Sequence, residues 1–138
     1  MIDLATYLVG ERPVRVAAAA AGRPDDVAIV IAFSGGSIAT ITYHAAGDPS
    51  IGKERVEVAR GDRGLAMTDF RNLVLSKDGR SEKKKFPADK GHAEEARRFV
   101  AAVKSGGPPP IPYEDLLAVT RATFAAVAAI ASGRFEDV

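Results

Sequence analysis

The chain has 138 residues, room for one domain but not for two well-filled cores. Apolar residues make up 46%, which excludes global disorder, and 19 Lys and Arg against 18 Asp and Glu leave a net charge of +1. That balance gives no electrostatic reason to expect nucleic acid or a membrane surface as partner, and the absence of cysteine removes disulfides, thiolate zinc sites and cysteine nucleophiles.

Ile2 to Val9 reads as a short helix stopped by Gly10. A helix that starts at the first residue without a cap suggests that the chain has been cut from something longer. The start has no basic stretch followed by an apolar one, so no signal peptide is expected, and no apolar run approaches the ~20 residues of a membrane span. A reducing cytoplasm is the expected compartment.

Strands follow. Val14 to Ala20 alternates, and Asp26 to Phe33 is nearly unbroken and β-branched, as in a central strand covered on both faces. Ser34-Gly35-Gly36-Ser37 supplies the turn back into Ile38 to Tyr43. Glu54 to Ala59 alternates again, Gly61 to Gly64 turns the chain, and Leu65 to Thr68 is a short strand. Leu73 to Ser76 and Lys83 to Phe86 flank an Asp78-Gly79 hairpin signal.

Two helices close the chain. His92 to Ser105 carries Ala96, Phe99, Val100 and Val103 at helical spacing, and Gly106-Gly107-Pro108-Pro109-Pro110 ends it. Glu114 to Ser132 presents Leu116, Leu117, Thr120, Phe124, Val127 and Ile130 as its expected buried stripe, with Gly133 as the stop. Strands followed by amphipathic helices predict an α+β fold, an open and mostly antiparallel sheet with helices on one face. The other face is then open to solvent, a second domain or a second subunit.

The chain contains no G-x-G-x-x-G after a strand, no P-loop, no H-E-x-x-H and no G-x-S-x-G. Gly35-Gly36 lies in a hairpin with no helix after it and cannot cradle a pyrophosphate. His44 and His92, the only histidines, lack a neighbouring acidic cluster, so no metal site is expected. Lys83-Lys84-Lys85 could be a phosphate patch, but alternate side chains of a strand face opposite ways and edge strands use lysine against aggregation. The segment from Tyr43 to Glu54 concentrates Tyr43, His44, Asp48, Ser50, Lys53 and Glu54 mostly on a loop, where binding groups gather, although a solvated loop shaped by its Pro and Gly reads equally well. Asp89-Lys90-Gly91-His92 before the next helix could hold an anion or simply cap it.

The order of a leading helix, Pro13-Val14-x-Val16, Phe33-x-Gly35-Gly36-Ser37, Glu54-Arg55-Val56-Glu57-Val58, Asp89-Lys90-Gly91-His92, and Gly107-Pro108-Pro109-Pro110-Ile111-Pro112 before a long helix resembles a known family. It resembles the C-terminal domain of the glucose–fructose oxidoreductase, inositol dehydrogenase and MocA family, which is built like the C-terminal domain of glyceraldehyde-3-phosphate dehydrogenase. The Gly47-Asp48-Pro49-Ser50 loop with Lys53-Glu54-Arg55 looks closest to a subgroup fused behind a zinc-type alcohol dehydrogenase.

The resemblance implies one domain over 1–138 and an N-terminal Rossmann domain, absent from this chain, that binds NAD or NADP. Zinc would belong only to a preceding domain. In the family a lysine of the nucleotide domain works with a histidine of a His-x-x-Asp pattern; Asp3 matches the aspartate, and the histidine would fall just before Met1. The isolated chain is therefore expected to be inactive, with no catalytic or cofactor-binding residue of its own. Tyr43, Asp48, Lys53, Lys90 and His92 are the expected contacts to a sugar-, polyol- or alcohol-like substrate. The expected partners are that small molecule, the chain's own Rossmann domain and a second copy through the open sheet face. A non-enzymatic assembly or small-ligand module is the competing reading.

Overall fold

The structure is a computed structural model describing every residue except Pro24, Pro49 and Ala88. The elements run α1 (Ile2–Val9), β1 (Pro13–Ala20), β2 (Val27–Phe33), β3 (Ile38–Tyr43), β4 (Arg55–Arg60), β5 (Arg63–Thr68), β6 (Asn72–Lys77), β7 (Arg80–Lys85), α2 (His92–Ser105), α3 (Tyr113–Ser132) and β8 (Glu136–Asp137). The α+β class and the antiparallel pairing are as the sequence predicts. The strands form two four-stranded sheets, in the orders β3-β2-β1-β8 and β4-β5-β6-β7. The chain divides into two compact units, 1–46 with 106–138, and 47–105.

The first unit holds all of the fully buried apolar residues among those described. Val16 and Ile31, aligned across β1 and β2, are completely buried, with Phe33 and Ile2 beside them. α3 covers this face through Ala122, Ala125, Ala126 and Ala129, whose spacing repeats every three or four residues. Small side chains let the helix lie close on the strands. The stripe expected from the sequence is therefore displaced: Phe124 is 69% exposed and Val127 63%, and Leu116 and Ile130 are also exposed. Burying the alanines gains tight backbone approach, and it turns the larger side chains outward.

β2 is interior to its sheet, as expected, but its two faces differ. Ile29, Ile31 and Phe33 point to the core, whereas Ala28 on the opposite face is exposed. By length and composition α3 is apolar enough to cross a membrane, contrary to the reading of the sequence, although its alanine face packs on β1. Gly10 and Gly133 stop α1 and α3 in the left-handed conformation, at φ 72° and 67°. β8, too short to carry a pattern, adds an edge strand to β1.

The second unit has one amphipathic sheet. Val56, Val58, Leu65, Met67, Leu73 and Leu75 share a face and are half-buried. Lys83 and Lys85 lie on the opposite face from Lys84, as strand alternation requires. α2 spans His92–Ser105 as predicted, but its stripe stays exposed, with Phe99 at 60% and Val103 at 65%.

Candidate functional site

Four of the five residues picked from the sequence lie in the second unit, and three segments of that unit are tied into one polar cluster. The tie begins at the β5–β6 turn, Thr68 to Arg71, closed by a bond from the Arg71 amide to the Thr68 carbonyl at 3.0 Å. Both central residues are left-handed, Asp69 at φ 53° and Phe70 at φ 52°. Two positive φ values match the twist of a two-residue hairpin, and Asp tolerates them. A phenylalanine there is unusual, because its Cβ crowds the backbone.

That turn aims the Asp69 carboxylate at the loop before β4. Its Oδ1 accepts from the backbone amides of Lys53 at 2.7 Å and Glu54 at 3.2 Å. A Cβ on Gly52 would come within 2.6 Å of Asp69 Oδ2, so glycine is what lets the carboxylate sit against this backbone. With its amide held, Glu54 turns its side chain to Lys90, whose Nζ donates to Oε1 at 2.5 Å. Lys90 Nζ also stands 5.8 Å from the centre of the Phe70 ring. One ammonium thus meets a carboxylate and an aromatic face, and stays more than half exposed.

The remaining picks lie around this cluster or outside it. Asp48 is fully exposed and accepts from the Ser50 amide at 2.8 Å; the Ser50 hydroxyl and amide hold its carboxyl below the usual range. Pro49, between them, lies outside the described residues. Lys53 enters through its backbone, and its side chain is exposed. Asp89 accepts from the Gly91 amide at 2.7 Å and shapes the approach to His92, the exposed first residue of α2. Tyr43 belongs to the first unit, at the end of β3, and is 57% exposed. There Asp26 accepts from the Ala45 amide at 3.3 Å, and the exposed His44 stands with its Nδ1 3.8 Å from the same carboxylate.

Asp69 and Phe70 are not singled out in the sequence, and Glu54 stands there only as the last polar residue of the Tyr43-to-Glu54 loop. Asp69 carried a readable signal: an aspartate between two short strands, at a hairpin position that favours left-handed backbone. Among the described residues no group of three His, Asp or Glu could hold a metal ion. Chemically, the cluster offers a cation, a carboxylate and an aromatic face within one small area. These groups can donate to and accept from neighbouring hydroxyls, but they contain no nucleophile paired with a base.

No protein-family model matches the chain, and no curated protein sequence does. Solved structures do. An aldose–aldose oxidoreductase from Caulobacter crescentus, complexed with glycerol, matches over 99% of this chain with a TM-score of 0.83 at 18% identity. An oxidoreductase from Agrobacterium radiobacter in complex with NAD+, L-tartaric acid and magnesium matches over 99% at 0.81 and 14%. A UDP-N-acetylglucosamine 3-dehydrogenase from Acidithiobacillus ferrooxidans matches over 95% at 0.80 and 20%. The chain covers 44%, 46% and 44% of these structures, so it spans a little under half of their length. At such identities the likeness establishes the fold.

Proposed function

We propose that this chain is the substrate-side, C-terminal domain of an NAD- or NADP-dependent oxidoreductase of the glucose–fructose oxidoreductase, inositol dehydrogenase and MocA family, acting on a sugar-, polyol- or alcohol-like substrate. The observation that carries this reading is the match of the whole chain to under half of an oxidoreductase holding glycerol, a polyol. The finer placement, beside relatives fused behind a zinc-type alcohol dehydrogenase, rests on the Gly47-to-Arg55 loop sequence alone.

The nicotinamide, bound by the other half, supplies hydride chemistry. This chain's residues bind and orient. Lys90 can donate to one substrate hydroxyl while Glu54 accepts from a neighbouring one, which suits a vicinal diol. Lys53 precedes Glu54 directly and His92 follows Lys90 by two residues, so both accompany that pair. The exposed side of α3, with Leu116, Phe124 and Val127, is the apolar surface available to the nucleotide-binding half.

The test is titration of the isotope-labelled chain with glycerol, glucose and myo-inositol, followed by amide chemical shifts, with NADH and NADPH in parallel. Polyol-induced shifts gathered at Lys53, Glu54, Asp69, Phe70 and Lys90 are expected, with none there from NADH or NADPH. Polyol shifts absent from that cluster count against the site, and micromolar NADH or NADPH binding that persists at high salt counts against the domain assignment.

A further inference from the structure

The strand register of the second unit opposes Arg60 to Arg63, Arg63 to Lys77 and Lys77 to Arg80. Directly opposed residues of antiparallel strands project from the same face. Four cations thus form one row across all four strands, and at ~4.8 Å per strand it runs for roughly 14 Å. Arg60, Arg63 and Arg80 are exposed, and none has an ion-pair partner among the described residues. Lys77 meets only Asp78, at 3.9 Å and with both side chains exposed, a contact too loose to neutralise the row.

Like charges facing one another weaken strand pairing, so the row carries an uncompensated repulsion. The next row on the same face is Val58, Leu65, Leu75 and Glu82, apolar over three of its four positions. An open depression of about 920 Å³ lies here, where Arg63, Lys77 and Arg80 outnumber the two carboxylates of its lining, Asp78 and Glu82, with Leu75 beside them. Every lysine of the chain falls within 47–105, so the nearly neutral total conceals a basic unit.

We propose that this row is a binding site for a ligand carrying several phosphate groups in line. Guanidinium groups take phosphate oxygens in a fork, and neighbouring cations ~5 Å apart can share one phosphate. A row of four suits a chain of phosphates better than a single anion. The apolar row alongside gives a flat floor for an organic group attached to that chain. The site is separate from the Lys90 cluster, and the inference does not depend on the oxidoreductase reading.

The experiment is calorimetric titration of the full chain with tripolyphosphate and with ATP at low ionic strength. Saturable binding at one site is expected, weakening as salt rises. Joint replacement Arg63→Gln and Arg80→Gln should weaken it by roughly tenfold or more. Joint replacement Lys83→Gln and Lys85→Gln, on the opposite face, should leave it unchanged. Both cation positions are exposed, and a thermal melt of each variant confirms folding. Tighter binding of ATP than of tripolyphosphate assigns the apolar row to the nucleoside; equal binding assigns the site to phosphates alone. Absence of saturable binding, or equal losses in the two double variants, overturns the proposal.

Discussion

Asp69 shows how a single side chain organises a region through backbone amides rather than through packing. Its carboxylate takes two amides from the loop before β4, and that loop carries the Glu54 carboxylate to Lys90. Glu94, on the solvent side of α2, works differently. Arg97 and Arg98, three and four residues on, donate to its carboxylate at 2.7 Å and hold its pKa at about 2, against an ordinary 4.5. A carboxyl depressed in the folded state contributes its stabilisation above the unfolded pKa and loses it as pH falls through the folded one. The Glu94 carboxyl resonance is therefore expected to titrate near pH 2, with α2 weakening between about 4.5 and 2. Replacing Arg97 and Arg98 by glutamine should return the titration towards the ordinary range, as read by carboxyl carbon shifts.

At the scale of the element, α3 contributes most. Its contact with β1 is made by alanines, so there is no room at that interface for a larger side chain. Ala126→Leu is expected to cost about 1–3 kcal/mol through overpacking, measured by urea unfolding. Phe124→Ser, on the exposed side, should stay within about 0.5 kcal/mol in the isolated chain. An equal cost at both positions would mean that the helix packs on its phenylalanine side. α2 is the counterpart in the second unit: its boundaries follow from local signals, yet its apolar stripe faces outward.

At the scale of the whole molecule, exposed surfaces set what the chain can associate with. In the first sheet the face away from α3 carries Ala17, Ala28, Val30, Ala32, Ile38 and Thr40. Its side chains are mostly small and apolar, with Arg15 and Thr42 at its margins, and Ile38 is 69% exposed. The expected consequence is a dimer through this face, seen by light scattering across micromolar concentrations and lost in Val30→Arg. A monomeric mass throughout that range would exclude it. The exposed side of α3 is a second apolar surface, and the cation row of the other sheet is a third, charged one.

Element type and order, β8 excepted, were legible from the sequence. Hydrophobic period and the Gly and Pro stops are local properties of the chain, and they placed α1, β3 and α2 at the bounds observed. What the sequence offered at the candidate site was only position: Asp48, Lys53 and Lys90 are polar residues on loops, Tyr43 ends β3 and His92 starts α2. Tertiary structure alone decided which face of α3 is buried, because alanines pack closer to strands than leucine or phenylalanine can. It also paired Glu54 with Lys90, 36 residues apart, through the Asp69 turn. Arg60, Arg63, Lys77 and Arg80 look unrelated along the chain; only strand register brings them into one row, since register joins residues by hydrogen-bond ladder rather than by sequence distance.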